Sequence, residues 1–185
     1  MLRRLRRILT LRAFLKDKRG VSAVEFALIA PVLIMAYLGM TELTLGMIAS
    51  RHTSHLAATI GDLASQSDTL TDANVSDLWS IGASMLQPFD TGTNLKIRLT
   101  EVMMNSSNQA IVQWSDASNM AAYTKNQVLS GITTSQVAVN NYLVMTEVEY
   151  DYASPIGDFL PGTTAMKDVF YHHPRNGASI SRVSS

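Results

Sequence analysis

The residues best placed to do chemistry lie together near the start of the chain. The run Arg19-Gly20-Val21-Ser22-Ala23-Val24-Glu25-Phe26-Ala27 joins a basic leader to an apolar stretch. A secretory signal carries its small-residue cleavage site after the apolar region. Here Gly20 precedes that region, and no convincing Ala-x-Ala site follows it. A protease cutting after Gly20 therefore works at the cytoplasmic membrane face and leaves the apolar helix on the product. The cut creates an amine on Val21. Glu25 stands four residues further on, a helical rise of about 6 Å, where its carboxylate can neutralise that amine. A carboxylate inside a membrane segment is functional, paired, or held at headgroup level, because leaving it isolated costs several kcal/mol. Glu25 thus reads either as an assembly residue or as a tolerated interface residue.

Other chemistry is thinly represented. Asp168, His172 and His173 are candidate metal ligands, but an adjacent His pair without a third well-spaced ligand fits no zinc pattern. They read better as solvated histidines of the tail. His52 and His55 flank the outer end of the apolar segment and read as headgroup-zone residues. No nucleophile elbow, phosphate loop or carboxylate dyad appears. The chain has no cysteine, which excludes disulfides, Cys-ligated zinc and thiol catalysis without arguing against export. The expectation is a protein that is not an enzyme, with no cofactor, metal or small-molecule substrate.

Charge says where these residues must be held. Residues 1–20 carry eight bases against Asp17 alone, a net of +7; the remaining seven bases and fourteen acids give residues 21–185 a net of −7. The acidic remainder lacks basic patches interleaved with aromatics, so nucleic acid is not an expected partner. From Gly20 to Ser50 the only charges are Glu25 and Glu42. Phe26–Thr41, taken with Leu43–Ala49, reaches the roughly 20 residues needed to span hydrocarbon. The competing reading is a buried helix of a soluble core. Apolar residues all round the helix and the bases upstream favour a membrane span, with the basic side cytoplasmic and residues beyond about 50 outside. Pro31 predicts a kink or local break. Ala36, Gly39 and Gly46 form a small-residue stripe where another helix could approach. Glu42 reads as the marker of the outer interface.

The helical pattern continues through Leu56, Ile60 and Leu63, with Gly61 a tolerable weak point. Ser65–Thr71 reads as a break. A second helix is expected from Thr71 or Asp72, its stripe of Val75, Leu78, Ile81, Met85 and Leu86 ending at Pro88. Alternation then replaces the helical period at Leu95–Leu99, less cleanly around Ile111–Trp114, and most strongly at Tyr142–Tyr152, whose outer face turns acidic. Asn105–Asn108 predicts a turn. Residues 116–130 show a weak helical pattern through Met120, Tyr123 and Val128. The tail from Pro174 reads as a loop or frayed terminus, with Ile180 and Val183 able to form a short edge strand.

The segment from Gly20 resembles the processing site of type IV prepilins, particularly of the tight-adherence (Tad) branch. Such sites have Gly before the cut, Glu at the fifth mature position and an aromatic at the sixth; Gly20, Glu25 and Phe26 match all three. Ala27-Leu28-Ile29-Ala30-Pro31-Val32-Leu33 and Glu42 are similar to TadE-like proteins, and a looser likeness continues at Tyr142–Tyr152 and Phe170–Ser181. The chain is longer than the small major pilins of that system and shorter than the TadG-like relatives that carry a large extra domain. The resemblance implies cleavage by a prepilin peptidase between Gly20 and Val21. It also implies assembly roles for Glu25 and Phe26, with other pilin subunits and Tad assembly proteins as partners.

The expected architecture is α+β: a basic leader over 1–20, a transmembrane helix over 21–50, and an exported, periplasmic domain over 51–185 with an antiparallel sheet of three or four strands. The expected function is a structural minor pilin or pseudopilin in the bacterial inner membrane or the pilus. The alternative is an uncleaved single-pass anchor carrying a periplasmic binding domain.

Overall fold

The computed structural model describes residues 20–154 and 164–184; the basic leader lies outside the described residues, apart from Gly20. The chain divides into two compact units with the boundary between Leu43 and Thr44. Helix α1 runs unbroken over Val21–Ser65, with Pro31 inside it. Of the kink or local break expected at Pro31, the break does not occur, because one lost donor and one crowded carbonyl do not stop a helix whose other bonds hold.

In the second unit, strand β1 (Thr69–Thr71) leads directly into helix α2 (Asp72–Met85). Thr71 is the N-cap, and its hydroxyl accepts from the Asn74 amide at 3.2 Å. The Asn74 side chain accepts in return from the Thr71 amide at 3.0 Å, a reciprocal box that satisfies two otherwise orphaned donors. The helix starts where the short oxygens predicted.

Five strands follow in one sheet of order β4-β3-β2-β5-β6: β2 (Leu95–Met104), β3 (Ala110–Ser118), β4 (Val128–Leu129), β5 (Tyr142–Tyr152) and β6 (Thr164–His172). All neighbouring pairs are antiparallel. The sheet therefore exceeds the three or four strands expected. β4 is only two residues long, and β6 has apolar residues on both faces with Lys167 and Asp168 adjacent, so neither gives a clean alternating pattern. The turn at Asn105–Asn108 forms as expected, with Asn105 Oδ1 accepting from the amides of Ser107 and Gln109.

Each face of the sheet has its own core. On one face, Leu95, Ile97 and Leu99 of β2 and Val144, Val148, Tyr150 and Tyr152 of β5 pack against α1 through Leu56, Ile60 and Ala64, and against α2 through Val75 and Leu78. On the other, Val102, Met104, Ala110, Val112, Leu143 and Met145 pack beneath Ile132 and Val137. A bulge opposite Glu101 and Val102 makes this possible, since Trp114 pairs with Glu101 while Val112 pairs with Val102. One extra residue in β3 turns Trp114 toward the helices and leaves Val112 facing the opposite core. That shift is the physical reason alternation around Ile111–Trp114 looks irregular in sequence.

The helix suggested for 116–130 is not formed. Residues 116–118 end β3, and Asn119 and Asn126 adopt φ of 57° and 69°, a left-handed conformation incompatible with a helix interior. Arg98 organises the loop between them: its guanidinium binds Glu147 at 2.6 and 2.7 Å, the Tyr123 hydroxyl at 2.6 Å and the Ala121 carbonyl at 3.0 Å. The acidic outer face of β5 is satisfied across strands, with Glu149 bound by Lys96 and Lys167 and Asp151 by Lys96. Finally, β7 (Ser181–Val183) pairs parallel to β1 and forms a separate two-stranded sheet. The tail is thus not only the loop or frayed terminus expected: the alternative of a short strand is realised at Ser181–Val183, paired to β1 and not to the main sheet.

Candidate processing site and membrane segment

Gly20 precedes the first residue of α1, Val21, so the candidate scissile bond lies at the helix start. Glu25 and Phe26 are both exposed; Phe26 shows 68% of its surface. The i,i+4 relation of Val21 and Glu25 is realised in a helical segment, which puts the carboxylate on the same face as the Val21 nitrogen.

The apolar part of α1 is exposed residue after residue. Val24, Leu28, Ile29, Val32, Leu33, Ile34 and Met35 are each more than half exposed. A window of α1 long and apolar enough to cross a bilayer has none of its residues buried. A core helix of a soluble domain would be mostly covered, so this exposure decides against that competing reading. Val21–Leu43 is 23 residues, about 34 Å of helix, against a hydrocarbon thickness of about 30 Å. Gly39 has no heavy atom within 4 Å of the position its Cβ would take, so its smallness serves no close contact among the described residues. A Cβ added at Gly46 would meet Tyr152 at 4.0 Å, an ordinary contact, so its smallness is not required by packing within the second unit either. Glu42, expected to mark the outer interface, is buried, with 1% exposed.

The candidate metal ligands do not converge. Asp168 and His172 lie four residues apart on β6, about 13 Å along a strand. The Asp168 carboxylate accepts instead from the Ser54 hydroxyl and the Val169 amide. His172 faces α1 at Gly61, and its burial depresses its proton affinity below the usual imidazole range. His173 is exposed. Among the described residues, no group of three or more His, Cys, Asp or Glu is placed to hold a metal ion. His52 packs edge-on against Phe89, with ring centroids 6.1 Å apart.

Two polar centres escaped the sequence reading. Glu101 lies fully buried on the helix-facing side of β2. Its carboxylate accepts from the Ile180 amide at 2.7 Å and the Ser179 hydroxyl at 2.8 Å. Burial raises its proton affinity, and those two donors with Trp114 oppose the rise. Arg182 binds Asp116 at 2.7 Å and Asp72 at 2.5 Å, tying the tail to β3 and to the start of α2. A lone Glu at the parity of Leu95, Ile97 and Leu99 in β2 was the available signal for the first. Nothing in the spacing pointed to the second.

Taken together, these features define a class: an α+β domain carried on one exposed apolar helix of membrane-spanning length. The family model for TadE-like protein matches residues 20–61, which begins at Gly20 and covers all but the last turn of α1. No curated protein and no solved structure matches the chain.

Proposed function

We propose that this chain is a structural minor pilin or pseudopilin of a Tad-type pilus assembly and secretion system, with no catalytic role of its own. The carrying observation is the coincidence of three features in one segment: the TadE-like match, the uncovered apolar helix, and Gly20 with Glu25 at its start. A prepilin peptidase cuts between Gly20 and Val21, the +7 leader stays in the cytoplasm, and the second unit faces the periplasm. The apolar helices then pack between subunits, with Gly39 permitting close approach.

Glu25 sets register in this mechanism. Cleavage leaves a positive amine on Val21 at the membrane face, where an unpaired charge costs about 3 kcal/mol near the bilayer centre and less toward the interface. Glu25 neutralises its own amine or that of a neighbour entering at a different height. A misplaced subunit leaves both charges unpaired in a medium of low dielectric. Phe26 adds an exposed aromatic beside that pair.

Mass spectrometry of membrane-extracted protein tests the reading: the mature chain begins at Val21. An intact Met1 terminus in cells with an active prepilin peptidase favours the alternative, an uncleaved anchor carrying a periplasmic binding domain.

A further inference from the structure

We infer that the C-terminal segment, residues 174–183, is a strap whose seating is governed by the protonation of Glu101, firm when the carboxyl is protonated and looser as it ionises. The strap crosses the end of α1 and the flank of the sheet. The Arg175 amide donates to the Ser65 carbonyl at 2.9 Å, and the Arg175 guanidinium binds Asp62 at 2.7 Å. The Ser181 amide donates to the Asp68 carbonyl at 2.9 Å, and β7 then pairs with β1. Ile180 is the buried anchor, at 2% exposure, and the Trp114 indole donates to its carbonyl at 2.8 Å.

At the centre of this seat lies a carboxylate with no exposed surface. The two hydrogen bonds to its oxygens come from the strap itself, through Ile180 and Ser179. The groups around it are otherwise neutral: Trp114 faces it from β3 and Val144 from β5. Of the charges on the neighbouring elements, Arg182 of β7 is taken up by Asp116 of β3 and Asp72 of α2. Among the described residues Glu101 has no salt bridge to hold it ionised; burial is the largest influence on it and favours the proton.

When Ile180 lifts, this balance changes. A cavity of about 430 Å³ lined by Gln113, Trp114, Ser115, Ile180 and Arg182 already runs beside the strap, so water reaches the carboxylate once the anchor leaves. Hydration then favours ionisation in the released state. The seated strap therefore binds a proton more readily than the released one, and by linkage protonation favours seating. Rising pH loosens the strap, uncovering the Thr69–Thr71 edge and the end of α1. The seating equilibrium shifts about tenfold for each unit by which the seated and released proton affinities differ.

Hydrogen exchange of the Ile180 amide in the full chain, in detergent between pH 4 and 8, tests this directly. Protection is corrected for the intrinsic pH dependence of exchange. Wild-type protection falls as pH rises, whereas Glu101→Gln, which keeps the shape and an acceptor for Ile180, gives a flat profile. Ser179→Ala removes one donor to the ionised carboxylate of the seated state alone, so its fall begins at the wild-type pH but continues to a higher pH than in wild type. His172 titrates in all three proteins and cancels from the comparison. A flat wild-type profile, or a Glu101→Gln profile with the wild-type slope, overturns the inference. Should Glu101→Gln not fold, an unshifted Ser179→Ala profile overturns it equally.

Discussion

At Gly61 α1 approaches the sheet too closely for a side chain, and replacing it with alanine sets two effects against each other. A Cβ at this position lies 2.5 Å from His172 Nδ1 and 2.7 Å from Thr146 Oγ1. His172 is half-buried at the end of β6 and can swing aside in part. Thr146 cannot: it is fully buried in β5, β-branched, and flanked by β2 and β6. The helix itself favours alanine over glycine by about 1 kcal/mol. Forcing a methyl group into a closed seam costs about 1–3 kcal/mol. With two contacts far inside van der Waals range, the upper part of that span applies. Gly61→Ala should therefore destabilise the second unit by about 1–2 kcal/mol, a fall of roughly 3–6 °C in Tm for a domain of this size. Thermal unfolding of the full chain in detergent, followed by near-UV circular dichroism, measures it. Thr146→Ala removes the rigid partner, so the double variant should recover part of the loss, giving a positive coupling in the cycle. If Gly61→Ala instead raises Tm by the amount helix propensity alone provides, α1 does not pack on the sheet in this way.

Glu25→Gln should be inserted and cleaved nearly as wild type, because the peptidase acts before any amine–carboxylate pair exists, yet fail to co-purify with other pilus components; undiminished co-purification makes Glu25 a mere interface residue. A reporter active only outside the cytoplasm, fused after Ser185, should be active, and activity of a cytoplasm-only reporter there reverses the orientation. His172 should make stability fall with acidification. Its folded-state proton affinity is depressed, so its contribution is full above the unfolded value of 6.5 and is lost as pH drops from there through the folded value. His172→Gln should flatten denaturant midpoints over that interval, and an unchanged slope removes His172 as their source.

Local patterns along the chain were enough to place many of the elements. The charge step at Gly20, the apolar run behind it and the Thr71 cap depend on neighbours within a few residues, and α1, α2 and the turn at Asn105 form where those signals lie. Tyr142–Tyr152 was equally legible, because its acidic outer face alternates with a buried one. Gly20, Val21, Glu25 and Phe26 were read from their place in the chain together with the resemblance to prepilin processing sites, and the structure adds their exposure. What stayed hidden depends on residues distant in sequence. The bulge in β3 reverses which face a side chain meets, and it exists because separate cores claim Val112 and Trp114. β6 carries no alternation of its own and is held by its pairing with β5. Gly61 reads as a weak helix former until Thr146 and His172 arrive from strands about 85 and 111 residues later. Glu101 looks like one more polar residue in a strand until the tail folds back over it and supplies its two donors. Hydrophobic period and capping are short-range properties, whereas burial of a charge is set by whatever part of the chain closes over it, which only the tertiary structure decides.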